Sequence, residues 1–133
     1  MTLVDTNVLL DVLSADARWL AWSIDALEAS AAAGPLLINE IIYAELSVRM
    51  LSEAELNRQI ERLGVSFERS PQHALFLAGQ TFSHYRRAGG TRTGVLSDLF
   101  IGAHALVLGC PVLTRDVRRY RTYFPAVELI SPD

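Results

Sequence analysis

The stretch T-L-V-D-T-N-V-L-L-D-V-L, residues 2–13, sets the pattern that the rest of the chain follows. It begins as a short apolar run typical of a buried strand, meets a carboxylate at Asp5, and continues with apolar residues at helical spacing. A strand followed at once by a helix is the first half of a β-α-β unit. We therefore predict a strand at Thr2–Val4 that ends on an acid.

The same alternation of strands and helices continues along the chain. Further strands are predicted at Leu36–Ile38, Val65–Phe67, Pro111–Thr114 and Val127–Ile130. Helices are predicted at Asn7–Leu13, Arg18–Ala33, Glu40–Leu51, Glu53–Leu63, Gln72–Ala88 and Ser97–Leu108, with a further turn at Val117–Tyr123. This order indicates an α/β fold with a mostly parallel central sheet of about five strands flanked by helices. A chain of 133 residues without a linker is expected to form a single domain, 1–133.

Composition excludes several classes of protein. Half of the residues are apolar and 20% are charged, which is typical of a folded chain. No apolar run reaches the ~20 residues that span a bilayer, and no basic segment precedes Asp5, so we expect a cytoplasmic protein without a membrane partner. The one cysteine, Cys110, is expected in the core.

All 12 basic residues are arginines. The absence of lysine excludes a Walker-type phosphate loop and Schiff-base chemistry. It also argues against receiver domains and aspartyl-phosphate phosphatases, which place carboxylates above a parallel sheet but use a lysine.

Charge is divided unevenly between the two halves of the chain. Residues 1–68 hold four arginines and eleven acids, a net charge of −7, whereas residues 69–133 hold eight arginines and four acids, a net charge of +4. Three of those arginines lie in the loop R-R-A-G-G-T-R-T-G, residues 86–94. The asymmetry indicates either an anionic partner or a solvated arginine-rich surface.

Two acids are predicted at one edge of the sheet. Functional groups of a parallel sheet gather at the carboxyl ends of its strands. Asp5 closes the first strand, and Asp116 lies two residues past the fourth. Glu45 is expected to face inward, because it falls three and four residues after Ile42 and Ile41 on an apolar helical stripe.

A fourth acid, Asp98, opens a helix that is apolar nearly all round. Taken alone, Asp98 could simply be an acid in the first helical turn that interacts with the helix dipole. Buried carboxylates are costly unless they are paired or bind a metal, and Arg115 alone cannot offset four of them. Oxygen ligands favour Mg²⁺ or Mn²⁺, whereas zinc would normally recruit His or Cys.

Other polar residues are interpreted structurally. Glu40 lies in a first helical turn behind a possible Asn39 cap. Asp11, like Asp16 and Asp25, is expected on a solvated polar face, and His104 is expected to be a hydrogen-bonded core histidine.

Four segments together resemble the PIN-domain ribonucleases, specifically the VapC-type toxins of bacterial toxin–antitoxin pairs. They are V-D-T-N-V-L-L-D from Val4, N-E-I-I-Y-A-E-L from Asn39, S-D-L-F-I-G-A-H-A from Ser97, and L-T-R-D from Leu113 with the tail R-R-Y-R-T-Y-F-P. The resemblance covers nearly the whole chain. It implies a catalytic and metal-binding cluster formed by Asp5, Glu45, Asp98 and Asp116, surrounded by the polar residues Thr6, Asn7 and Thr114.

The resemblance also implies an activity and partners. The activity would be hydrolysis of RNA with one or two Mg²⁺ or Mn²⁺ ions, leaving a 5′-phosphate and a 3′-hydroxyl. Asp5 and Asp98 would hold the principal metal, and Glu45 or Asp116 would accept the proton of the attacking water. The partners would be a second copy of the chain, as a homodimer, and a cognate antitoxin.

The arginines are the candidate RNA ligands, because they follow or flank the acidic segments. The last four could instead serve packing or a dimer surface. The candidates are Arg86, Arg87, Arg92, Arg115, Arg118, Arg119 and Arg121. Two other functions share the same fold: a non-catalytic PIN scaffold that binds an antitoxin or RNA, and a non-toxic RNA-processing nuclease.

Overall fold

The computed structural model describes residues 1–132, so Asp133 of the predicted domain lies outside the described residues. The strands are β1 (Thr2–Val4), β2 (Leu36–Ile38), β3 (Val65–Phe67), β4 (Val112–Leu113) and β5 (Leu129–Ile130). The helices are α1 (Thr6–Leu13), α2 (Leu20–Ala33), α3 (Glu40–Ser47), α4 (Glu53–Leu63), α5 (Gln72–Arg87), α6 (Val95–Leu108) and α7 (Arg118–Tyr123). The predicted α/β architecture is confirmed.

The five strands form one parallel sheet in the order β3-β2-β1-β4-β5. Leu3 of β1 pairs with Leu37 on one side and with Val112 on the other. β2 and β3 therefore extend the sheet on one side of β1, and β4 and β5 extend it on the other. The order reverses between β1 and β4, which is where sites of open α/β sheets form.

The core covers both faces of the sheet at β1. Leu3 and Val4 are fully buried, as are Leu99 and Ile101 of α6. Close packing of α6 against the end of α7 depends on Gly102, because a Cβ there would lie 2.3 Å from the Phe124 ring. Among residues 1–132, no helix combines the length and apolar character needed to cross a membrane.

The structure corrects the predicted end of α3. The helix ends at Ser47 rather than Leu51. Val48 follows Glu45 by three residues, a spacing that predicts an inward position in a longer helix, but it is 83% exposed. The chain turns here before α4. Ser52 is the N-cap of α4, and its hydroxyl oxygen accepts from the backbone N–H of Glu55. The remaining boundaries differ from prediction by two residues or fewer.

Candidate active site

Asp5 lies at the junction of β1 and α1, at the reversal of strand order. It is the N-cap of α1, and its Oδ1 accepts a hydrogen bond of 2.7 Å from the backbone N–H of Thr6. Only 5% of the residue is exposed. A strand end and a helix start therefore place one buried carboxylate at the carboxyl edge of the sheet.

The second oxygen of Asp5 receives several donors. Its Oδ2 accepts from Thr114 Oγ1 and Tyr120 Oη, each at 2.8 Å, and from Asn7 Nδ2 at 3.4 Å. Burial raises the pKa of Asp5 above its ordinary value, and the hydrogen bonds from Tyr120 and Thr114 oppose that rise only in part. Residues of α1 and α7, and the residue that follows β4, thus all bind the Asp5 side chain.

The pKa of Asp98 is affected by the other three acids. Its half-buried side chain sits in the first turn of α6. Burial and the negative charges of Asp5, Asp116 and Glu45 raise the pKa of Asp98 to about 7, against partial compensation by Arg119. The four predicted acids therefore share one electrostatic environment.

Glu45 and Asp5 are linked through Thr6. The Thr6 hydroxyl donates to Glu45 Oε1 at 2.7 Å, while its backbone N–H serves Asp5. Asp116 is the most exposed of the four acids, with 49% of its side chain in solvent. The Arg118 guanidinium, 3.3 Å away, lowers the pKa of Asp116. An exposed pair of this kind is weak, so it can open.

The donor set has the chemistry of a site for a hard divalent cation. Its charged groups are carboxylates, and like-charge repulsion at Asp98 is only partly relieved. Within residues 1–132, no group of three or more His, Cys, Asp or Glu side chains is arranged as a ready-made site for a metal ion. Mg²⁺ does not require one, because it usually takes one or two carboxylates and completes its shell with waters and phosphates. The residues therefore fit Mg²⁺ or Mn²⁺.

A cleft of about 570 Å³ opens beside the acids. Asp98 and Asp116 line it together with Arg92, Arg118 and Arg119. In the described part of the chain, the buried Nε of Arg119 has no hydrogen-bond partner. The cleft thus presents carboxylates and guanidinium donors to the same volume.

Comparison with known proteins identifies the family. The family model described as "PIN domain" matches residues 2–125. The chain belongs to the PIN domain family. No curated protein matches the sequence of this PIN domain at a significant level.

Solved structures resemble this PIN domain over almost its full length. VapBC2 from Rickettsia felis, bound to a DNA fragment from the promoter, has a TM-score of 0.75 at 16% identity, with 99% of this chain and 98% of that chain covered. VapBC-1 from nontypeable Haemophilus influenzae gives 0.72 at 18%, covering 98% and 96%. A toxin–antitoxin complex from Klebsiella pneumoniae gives 0.71 at 22%, covering 100% and 98%. At these identities the likeness shows a shared fold.

The predicted site residues come together at one edge of this PIN domain. Thr6 links Asp5 to Glu45, and Thr114 links Asp5 to Asp116, through hydrogen bonds. Asp98 lines the same cleft as Asp116. Thr6, Asn7 and Thr114 each donate a hydrogen bond to one of the acids. Their roles in binding metal and in catalysis remain predictions.

Arg115 is engaged elsewhere. Its guanidinium binds both oxygens of Asp11, at 2.6 and 2.9 Å, and lies 4.9 Å from the centre of the Trp19 ring. The expectation that Asp11 is solvated is wrong: the residue is 3% exposed and also accepts from Ser23 Oγ at 2.7 Å. Burial of Asp11 is tolerated because arginine and serine satisfy its carboxylate. Phosphate binding by Arg115 would have to compete with this pair.

The remaining candidate arginines are mostly accessible. Arg86 and Arg87 occupy the exposed last turn of α5, and Arg92 and Arg121 are exposed as well. Arg86 also covers the Phe82 ring at 5.1 Å.

The structural interpretation of His104 is confirmed. The side chain is fully buried, with Nδ1 at 3.1 Å from Asn39 Nδ2 and at 3.2 Å from Ser70 Oγ. Glu40 accepts from the backbone and hydroxyl of Ser70, and Asn39 caps α3 as expected. Cys110 is buried.

Tyr120 is the residue that sequence reasoning missed. It stands among arginines in R-R-Y-R, which reads as a charged surface. Its spacing from Val117 and Phe124, three and four residues, is that of an inward helical face, and all three are buried. That spacing would have predicted burial, but not the bond to Asp5.

Proposed function

We propose that this PIN domain is a divalent-metal-dependent ribonuclease that acts as the toxin of a toxin–antitoxin pair in the cytoplasm, as one nuclease unit over 1–133. The observation that carries the proposal is a cleft lined by Asp98, Asp116 and three arginines. Asp5, at the reversal of strand order, and Glu45 lie close enough to raise the pKa of Asp98. PIN domains are generally nucleases, which supports the reaction class.

Two tasks are proposed for the acids: holding the ion and accepting a proton. Asp5, through its less occupied Oδ1, and Asp98 would hold the ion. When bound, Mg²⁺ or Mn²⁺ lowers the pKa of a coordinated water and offsets charge on the scissile phosphate. Glu45 is the better candidate to accept the proton of the water, because the low pKa of Asp116 makes it a poor base. The water oxygen bonds to phosphorus and the bond to the 3′-oxygen breaks, which leaves a 5′-phosphate and a 3′-hydroxyl.

RNA would be attracted by a surface that lacks acids. No acidic residue occurs from Arg69 to Ser97, a segment that includes α5 and the loop with Arg86, Arg87 and Arg92. None occurs from Val117 to Val127 either, where Arg118, Arg119 and Arg121 lie. These stretches supply positive potential beside a negatively charged centre, as a nuclease for a polyanion requires.

A cleavage assay with controlled metal content tests the reaction. We expect the purified protein to cut single-stranded RNA with Mg²⁺ or Mn²⁺, to stop in excess EDTA, and to resume when metal is restored. The same sequence as DNA is the matched control for substrate class. RNA binding without cleavage in either metal would contradict the proposal and favour the non-catalytic scaffold.

Arg92 is the arginine best suited to test phosphate binding, because it is exposed and lines the cleft. We expect Arg92→Ala to weaken RNA binding about 3–10-fold and to reduce the slope of log affinity against log salt by about 1. Exposed Arg58 on α4 provides the control, because Arg58→Ala also removes one positive charge but Arg58 does not line the cleft. Equal effects of the two substitutions on affinity and slope would indicate only a general charge effect.

The partner proposal draws on the solved neighbours, which are VapBC and other toxin–antitoxin complexes. We propose a cognate antitoxin on this basis, whereas the proposed homodimer rests only on the resemblance to VapC-type toxins. Induction of the gene alone should arrest growth, and co-expression of the antitoxin should restore it. Normal growth with active nuclease in the lysate would favour a non-toxic RNA-processing enzyme.

A further inference from the structure

Among residues 1–132, the hydroxyl of Tyr120 makes one hydrogen bond, and its acceptor is Asp5. The residue is 1% exposed, although its neighbours Arg118 and Arg121 are in solvent. Its hydroxyl donates to Asp5 Oδ2 at 2.8 Å. A buried hydroxyl needs a partner, and a hydrogen bond to a charged acceptor is stronger than one to a neutral group.

The two oxygens of Asp5 are used unequally. Oδ2 accepts from Tyr120, Thr114 and, at longer range, Asn7. Within the described part of the chain, Oδ1 accepts only from the backbone N–H of Thr6. A carboxylate has about four acceptor positions over its two oxygens. Oδ2 is therefore filled, and Oδ1 keeps an acceptor position for another ligand.

We propose that Tyr120 is a positioning residue that fixes the rotation of the Asp5 carboxylate, so that Oδ1 is the oxygen presented to a divalent cation. This inference rests on the proposed function. Without the hydroxyl, Oδ2 would lose one of its two short hydrogen bonds, and the carboxylate could rotate away from the arrangement that binds metal.

The same bond joins two parts of the proposed site. Tyr120 belongs to α7, which also carries Arg118 and Arg119 into the cleft. Asp5 belongs to the junction of β1 and α1. The hydroxyl therefore sets the placement of the cleft arginines relative to the acid that would hold the ion.

The test is Tyr120→Phe, which removes one oxygen atom and keeps the ring. Mn²⁺ binding to the intact protein is measured by calorimetry, and the rate of RNA cleavage is measured against Mn²⁺ concentration. We expect the Mn²⁺ Kd and the half-saturating Mn²⁺ concentration to rise about tenfold, the low end for loss of a group that orients a metal ligand. Saturating Mn²⁺ should restore most of the cleavage rate.

A control on the same helix separates positioning from packing. Tyr123 is half-buried, and its hydroxyl has no hydrogen-bond partner among the described residues, so Tyr123→Phe should leave the Mn²⁺ Kd unchanged. If Tyr120 served only packing, Tyr120→Phe would lower the fraction of binding-competent protein without changing its Kd. A Kd within twofold of the wild-type value would overturn the inference, even if stability were reduced.

Asp5→Asn distinguishes failure of the inference from failure of the proposed function. Loss of Mn²⁺ binding in Asp5→Asn together with an unchanged Kd in Tyr120→Phe would overturn only the positioning role. Wild-type Mn²⁺ binding in Asp5→Asn would overturn the proposed metal site, and the role of Tyr120 with it.

Discussion

Replacement of Asp5 by asparagine is expected to lower the rate of metal-dependent RNA cleavage about 10³-fold or more. The reason is that the ion would lose its buried anionic ligand, and metal catalysis contributes several kcal/mol to the transition state. Growth arrest on induction should disappear with the activity. The measurements are cleavage of labelled RNA over a range of Mn²⁺ concentrations and growth after induction.

The fold of the Asp5→Asn variant should persist. Asparagine is itself a favoured N-cap, because its Oδ1 can still accept from the backbone N–H of Thr6. Its Nδ2 would replace Oδ2, and the hydroxyls of Tyr120 and Thr114 can turn to accept from it. Burial already opposes the charge of Asp5, so a neutral replacement is tolerated electrostatically. Asp25→Asn, at an exposed position on α2, is the matched control and should retain full activity. Undiminished cleavage by Asp5→Asn would remove Asp5 from the mechanism.

Replacement of Asp98 by asparagine should stabilise the metal-free protein at pH 8. The folded-state pKa of Asp98 is about 7, above the ordinary carboxyl value near 4 of the unfolded chain. Wild-type protein therefore loses stability as the pH rises from about 4 to 7, because folding then requires an unfavourable charge. The variant avoids that loss. We expect a gain of about 1–2 kcal/mol, allowing for solvent screening at a half-buried site.

A competing effect acts in the opposite direction. Asp98 lies in the first turn of α6, where an acid interacts favourably with the helix dipole by about 0.5 kcal/mol. Repulsion from three nearby carboxylates is expected to exceed that amount. Urea unfolding in EDTA at pH 5 and pH 8 measures the balance, and the gain should be smaller at pH 5, because it vanishes only below the unfolded-state carboxyl pKa near 4. A variant less stable than wild type at pH 8 would mean that Asp98 is only a helix-start acid.

The sheet could be predicted because its strand ends carry clear local signals. Thr2–Val4 stops at Asp5, and Leu36–Ile38 lies between Gly34-Pro35 and the cap Asn39. Signals of this kind, at the ends of strands and helices, depend only on residues that are neighbours in the sequence. The acids of the site were predictable for a related reason, since each interrupts an apolar pattern or follows a strand.

The incorrect predictions concern contacts between distant segments. Asp11 was expected in solvent because it falls on a polar face of its helix, yet Arg115, 104 positions away in the sequence, binds it. The bond from Tyr120 to Asp5 spans 115 positions. Helical spacing can show that a side chain turns inward, but not which group it meets there.

The bonds from Thr114 and Tyr120 to Asp5 also have a consequence in time. During translation, Asp5 leaves the ribosome more than 100 residues ahead of both partners. The nascent chain therefore cannot complete the hydrogen bonds to Asp5 until β4 and α7 have emerged. Unfinished copies of the proposed nuclease would lack these bonds and, with them, the proposed reactive centre.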